Sequence, residues 1–437
     1  MMRTLILAAL YIAAAHFAYV AYIEPTFAYA HYIYLEPAPA PLLSTYILTW
    51  AVLLAHRDTP HPAQMAAGLI YALCYVPIQL SLLFTIERDY LAILPVQMAL
   101  AFSMAVLFVA ARMGPLPSTE PVFRFASLDR SLGILTIAAI ALIVATNAGH
   151  MRLVSFEDVY DLRTEATSGP SNVVLDYLSS WLSYCFISYF FARGLVDKKW
   201  TYVALGIAGS LVLYMAAGAK ASLLLLPMTV GVVALWKEGH GFLARTLLAL
   251  IMLVLTVTVL LPDEGLGLWA KSILLVRVIG SSGWVASKYF EYFDVNGYTY
   301  YTHIGPVNAI FGGYPYGEYG LGQLIGIERA GSEAANFNAS FWASDGMAAL
   351  GTAGVVIVTA PVALLLYTIN CLTAVFRSRL TVAWITGLVV AMLNVPLATA
   401  MLSGGGGITL LLAWYATRLG QYDAMNRPAA AHSTANI

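Results

Sequence analysis

The sequence predicts an all-α integral membrane protein of about twelve transmembrane helices with a large segment outside them, and three observations predict it. The 437 residues are 60% hydrophobic and only 10% charged, where a soluble domain carries about 25% charged residues. A chain so poor in charge cannot cover its surface against water. The apolar residues fall in blocks of roughly 16 to 25, long enough to cross about 30 Å of hydrocarbon at about 1.5 Å per residue. The basic residues divide unequally between the connections, as topology signals do.

The predicted spans lie near Leu5–Tyr22, Glu36–Ala55, Ala66–Thr85, Leu91–Ala111, Leu132–Ala148, Val174–Ala192, Tyr202–Ala217, Ser222–Trp236, Leu243–Leu261, Met347–Ala374, Val382–Leu402 and Ile408–Leu419. The second, eighth and twelfth carry the weakest signal. Arg3 precedes the first block, but no small-residue cleavage site leads from it into a soluble chain, so it reads as a span rather than a signal peptide. Placing the N-terminus inside keeps 14 Lys and Arg residues in the cytoplasm. Eight fall outside: Arg88, Arg152, Arg163, Lys220, Lys271, Arg277, Lys288 and Arg329. Both termini are then cytoplasmic, and the whole chain, 1–437, is one polytopic domain.

Two external segments exceed ordinary connections of a few residues. One spans 149–171; the other spans 262–345 and is too rich in Trp, Tyr and Phe for disorder. It is expected to fold against the membrane surface, with short helices. The tail 421–437 reads as a disordered cytoplasmic end. Cys74, Cys185 and Cys371 lie in apolar blocks without metal-ligand or disulfide spacing, so neither metal nor cofactor is expected. Net charge is −1, which gives nucleic acid nothing to bind.

The external cations and carboxylates are the candidates for chemistry. Lys220 sits in a short turn, Gly218-Ala219-Lys220-Ala221-Ser222, and either snorkels to headgroups or binds phosphate beside the helix that starts near Ser222. Arg277, in Leu275-Val276-Arg277-Val278, is either an interfacial anchor or a fork for phosphate oxygens, with Trp284 two turns on along the same side. Asp161 with Arg163, in a loop of four carboxylates and one Arg, offers either a general base or a set of solvated ion pairs. His303 is a second candidate base or a structural loop histidine. Asp345 reads first as a cap for the tenth span. The aromatic residues suit sugar faces and equally suit an interfacial belt.

Three stretches resemble the Wzy-type O-antigen polymerases and, more distantly, the O-antigen ligases. These are Gly218-Ala219-Lys220-Ala221-Ser222, then Arg277 with Trp284, and then the run from Tyr314-Pro315-Tyr316-Gly317 through Asn336-Phe337-Asn338 to Gly346 and Gly354. The ligases usually place His before the Asn of the polar pair, whereas Phe337 stands here, which favours polymerase. The resemblance implies a GT-C-like fold in the bacterial inner membrane and a glycosyl transfer at its periplasmic face. Undecaprenyl-pyrophosphate-linked repeat units would be donor and acceptor, with a flippase and a chain-length regulator as partners. Arg277 and Lys220 would stabilise the departing pyrophosphate electrostatically, with His303 or Asp161 as base and no obligatory metal. Arg152, Arg163, Trp284, Tyr301, Tyr316, Asn336, Asn338 and Asp345 would line the substrate.

Overall fold

The computed structural model describes residues 1–117, 126–149, 151–153, 173–333, 335–338 and 342–425. It is 78% helix with no strand among the described residues. Backbone amides and carbonyls in hydrocarbon must be satisfied within the chain, and helices do this locally. Among the described residues, seven helices are long and apolar enough to cross a membrane: α1 (Met2–Ala30), α3 (Ala63–Thr85), α4 (Tyr90–Ala110), α5 (from Leu128 to Asn147), α7 (Trp200–Ala217), α9 (Phe242–Leu260) and α13 (Ala343–Thr373). Three shorter apolar helices are α2 (Pro39–Ala55), α8 (Lys220–Leu235) and α14 (Ser378–Met392). Two more helices of membrane length, α6 (residues 173–197) and α16 (Gly406–Met425), fall outside this apolar set. Helix thus underlies every predicted span, although α14 stops at Met392, well short of Leu402. The segment from there to α16 contains only the short α15 (Leu397–Met401).

Two ends of the bundle are defined by side chains that join distant helices. At the lower end Asn370 of α13 accepts from the Ala63 amide that opens α3, 3.0 Å, and donates to Ala111 and Met113 carbonyls at the close of α4, 2.9 and 2.8 Å. One buried amide thereby serves the orphan groups of two helix ends. Nearby, Asp129 of α5 accepts from the hydroxyl of Tyr189 and pairs with Arg193 of α6, while Asp197 pairs with Arg193 and Arg377. In the apolar middle, Gln79 of α3 and Gln97 of α4 donate to each other's backbone carbonyl, 2.9 and 3.0 Å.

The predicted external segment 262–345 is not all peripheral. Residues 265–296 form one continuous helix, α10, whose second half packs against α3 and α13. Gly283 makes this approach geometrically possible: a Cβ there would lie 2.1 Å from Ser81 Oγ and 2.4 Å from the Pro77 carbonyl. The hydroxyls of Ser287 and Thr85 meet at 2.8 Å one turn farther on, and Arg88 reaches Asp294 beyond them. A π turn in α3 at Tyr71–Tyr75 leaves carbonyls without their usual helical partners. Tyr11 takes the Ala72 carbonyl at 2.8 Å and Ser282 takes that of Leu73 at 2.7 Å, so the bulge holds α1 and α10 against α3.

The sequence also predicts a single span from Met347, and here the structure differs. Within α13, Leu350 and Gly351 leave helical geometry, Gly351 with φ +59°. The two parts then run back against each other: a Cβ on Gly354 would lie 2.0 Å from the Gly346 carbonyl oxygen, and the Trp342 indole donates to Thr359 at 3.2 Å. Residues eight apart in a straight helix are separated by about 12 Å. Residues 343–350 therefore climb from the bundle interior as a re-entrant half-helix, and the long pass begins at Gly351. The end of the chain differs too, since α16 continues through Met425, past the Gln421 boundary predicted for the tail.

Substituting Gly283 by Ala is expected to lower the thermal midpoint of the detergent-solubilised protein by an amount equivalent to about 1–3 kcal/mol of overpacking. Gly231, whose Cβ would meet nothing within 4 Å, is the control and should accept Ala without loss. Equal midpoints for the two variants would contradict the close crossing of α3 and α10.

Candidate functional site

The re-entrant hairpin is the centre of the upper end. Its break leaves the Ala348 and Ala349 carbonyls without helical donors, and the segment after α10 supplies them. Thr299 N donates to Ala348 O and Tyr300 N to Ala349 O, each at 2.9 Å, and the Tyr301 hydroxyl donates to Gly354 O at 3.1 Å. Tyr300 and Tyr301 both adopt left-handed backbone, φ +52° and +63°. Such strain persists in non-glycine residues only where surrounding bonds enforce it.

That turn delivers His303 to Asp345. His303 Nε2 lies 2.6 Å from Asp345 Oδ1, and Nδ1 lies 2.7 Å from the Thr299 hydroxyl, with both members of the pair buried. The Thr299 hydroxyl that meets Nδ1 also donates to the Ala348 carbonyl at 3.2 Å, so the imidazole is tied to the broken end of the hairpin as well as to Asp345. Asp345 does not cap α13 as expected: Trp342 holds the N-cap position, and the carboxylate turns to the imidazole instead. Both ring nitrogens of His303 are engaged. A substrate hydroxyl meets no free nitrogen here, and the pair fastens the loop to the hairpin. Burial first, and then the nearby Asp345 charge, pushes the Tyr301 hydroxyl up to about 12.

From the hairpin tip a polar chain leads outward. The Tyr298 ring stands beside Gly351, and its hydroxyl donates to Asp294 at 2.9 Å. Asp294 also pairs with Arg88, whose guanidinium holds that carboxyl below its ordinary value. Arg88 in turn lines a cavity of about 510 Å³ between the start of α2 and the turn joining α3 to α4, together with Glu36, Glu87, Asp89 and Tyr90. The sequence placed Arg88 outside but gave no reason to single it out, because its partner is 206 positions away.

The remaining candidates are distributed around this end. Arg277 is exposed and makes no ion pair among the described residues, near Tyr32. Lys271, Lys288 and Arg329 each have a carboxylate, Asp263 for the first and Glu291 for the other two. Trp284 is buried where Arg277 is exposed: it is 3% exposed, stacks on Tyr32, near which Arg277 also lies, and donates to the His31 carbonyl at 2.9 Å. Arg277 lies inside the five-residue π turn Val276–Gly280, which shifts the helical register ahead of Trp284. With its indole packed inside, Trp284 has no free face for a sugar. Tyr316 is part buried against Tyr292, Phe293 and Tyr314.

Asn336 and Asn338 belong to an extended stretch lying on α12 (Leu321–Ala330). Phe337 N donates to Gly322 O at 3.0 Å, and both Asn side-chain oxygens approach Gly322. Gly326 admits the Ala335 carbonyl one turn later, which explains the glycines at this spacing. Lys220 is the first residue of α8, two positions before the expected start, in a helix group packed on α7 and α14 rather than with Arg277. Arg152 is exposed, and its amide reaches Met215 O, close to the Lys220 turn. Asp161 and Arg163 lie outside the described residues, as does most of 149–171. No group of three or more metal-binding side chains occurs among the described residues. No protein-family model, curated protein or solved structure matches the chain.

His303→Ala and Asp345→Ala are each expected to destabilise the solubilised protein by about 1–3 kcal/mol, the cost of an orphaned buried polar partner. The double variant should lose less than the sum of the two. Strict additivity in equilibrium denaturation would show that the two side chains are not coupled.

Proposed function

We propose that this protein is a polymerase of lipid-linked oligosaccharides, joining polyprenyl-pyrophosphate repeat units at the upper face of the bundle, which this reading makes periplasmic. The single observation that carries the proposal is Arg277. It is the cation of the upper-end helix α10 that stands exposed and, among the described residues, without an ion pair, near Tyr32, whereas Lys271 and Lys288 on the same helix are paired. A guanidinium so placed matches phosphate oxygens at headgroup depth. The resemblance of the Lys220, Arg277 and Gly346 stretches to Wzy-type polymerases supports the same reading, and the twelve-span topology with both termini cytoplasmic belongs to it.

In the reaction an acceptor sugar hydroxyl forms a bond to the donor's anomeric carbon as the bond from that carbon to the pyrophosphate oxygen breaks. The electron pair leaves with the lipid pyrophosphate, and the hydroxyl proton passes to a base. Arg277 stabilises the charge that grows on the leaving group, a task in which preorganised donors are worth about 3–4 kcal/mol each. The cavity beside Arg88, with carboxylates and Tyr90 over an apolar floor of Leu83, Ile86 and Ile93, is suited to a saccharide. Its carboxylates join Asp161 as candidates for the base. His303 is better suited to holding the site's shape.

The test is the surface-glycan ladder of cells lacking the protein, complemented with wild type, Arg277→Ala, Arg277→Lys or Lys220→Ala. Expected is a single capped repeat unit without a ladder for the deletion and for Arg277→Ala, at wild-type protein abundance, with partial rescue by Lys. A normal ladder from Arg277→Ala would remove it from the mechanism. Repeat units held on the carrier lipid with none capped would replace polymerisation by export or ligation.

A further inference from the structure

An apolar face at the upper end is exposed and uncovered by the described residues. Residues 295–317 contain no Asp, Glu, Lys or Arg, although Asp294 and Glu318 bound them. Within them α11 (Gly305–Phe311) buries no residue, and Ile310 and Phe311 are 75% and 78% exposed. Val295 and Tyr300 are also largely exposed. In a water-facing loop such a patch is a liability, and its presence marks an interaction surface.

The attachment of this segment fixes its depth. From Gly351 to Thr373, α13 runs 23 residues, about 34 Å at the helical rise and enough to cross the hydrocarbon core of about 30 Å. Since Thr373 is at the lower end, Gly351 and the Thr299–Tyr301 turn bonded to it stand at the upper hydrocarbon boundary. The Tyr301 hydroxyl rests on Gly354, and the next exposed residues down that helix are Val356 and Ile357. The turn that leads into α11 is therefore joined to α13 just above exposed apolar residues of that helix. Its neighbours Tyr298, Tyr300 and Tyr301 are the amphipathic rings that favour headgroup depth.

We propose that α11, with Tyr300, lies in the upper leaflet as an interfacial foot, its occupant being the lipid of the surrounding bilayer. The His303–Asp345 pair fixes its entry, and Gly312 and Gly313, both left-handed with open space around them, form its exit. A protein partner fits less well. A seven-residue helix offers far less than the roughly 1,000 Å² of a stable interface, and the segment lacks the charged groups of a polar rim.

The test uses Phe311→Cys in a Cys371→Ser background, labelled with an environment-sensitive nitrobenzoxadiazole; Cys74 and Cys185 are buried and escape labelling. In phosphatidylethanolamine–phosphatidylglycerol vesicles the expected result is blue-shifted emission, lost on adding lipid spin-labelled near the headgroup and retained in aqueous iodide. Water-like emission quenched by iodide would overturn the proposal. Emission shielded from both quenchers would also overturn it, assigning the face to a second copy or another protein. Ile310→Cys repeats the measurement should the first variant fail to fold.

Discussion

The upper end of this protein depends on a contact between two backbones. Where Gly346 meets Gly354 no side chain fits, and that closeness lets residues 343–350 double back along the rest of α13. The doubling has a cost, since the carbonyls at the break lose their helical donors in surroundings where water cannot replace them. Thr299, Tyr300 and Tyr301 supply the missing bonds, and to do so two tyrosines take left-handed backbone. His303 and Asp345 are brought together as a consequence.

The same accounting runs through the middle of the bundle. The π turn in α3 releases carbonyls that Tyr11 and Ser282 recover, and the two recoveries tie three helices at one level. Gln79 and Gln97 exchange bonds between neighbouring helices, each worth on the order of 0.6 kcal/mol in a membrane setting. Small residues do the complementary work: Gly283 lets α10 lie close enough to α3 for Ser287 and Thr85 to meet. Association without a hydrophobic driving force between helices relies on close packing and such bonds.

These constraints separate residues that hold the site from residues free to act in it. His303 has both nitrogens occupied, Trp284 is packed under Tyr32 and Phe337, and Asn336 and Asn338 rest on Gly322. Arg277 remains exposed, inside a π turn of α10. The Arg88–Asp294–Tyr298 chain links the cavity wall to the hairpin tip, so a ligand in that cavity would press on the same elements.

The sequence by itself determined that the chain is helical and suited to a membrane, and roughly where each apolar helix lies. That information is local: hydropathy over about twenty residues decides whether a segment tolerates hydrocarbon. It also singled out Gly346, Gly354, His303, Asp345 and Arg277 one by one. Only the tertiary structure decided their arrangement. Hydropathy carries no direction, so an apolar run that turns back at Leu350–Gly351 reads the same as one that runs straight. A π turn shifts the helical face by one residue without a sequence signature, and Arg277 lies inside one. The partners of Arg88, Gly283 and Asn370 lie more than 200 positions away, and such pairs exist only once the helices have packed.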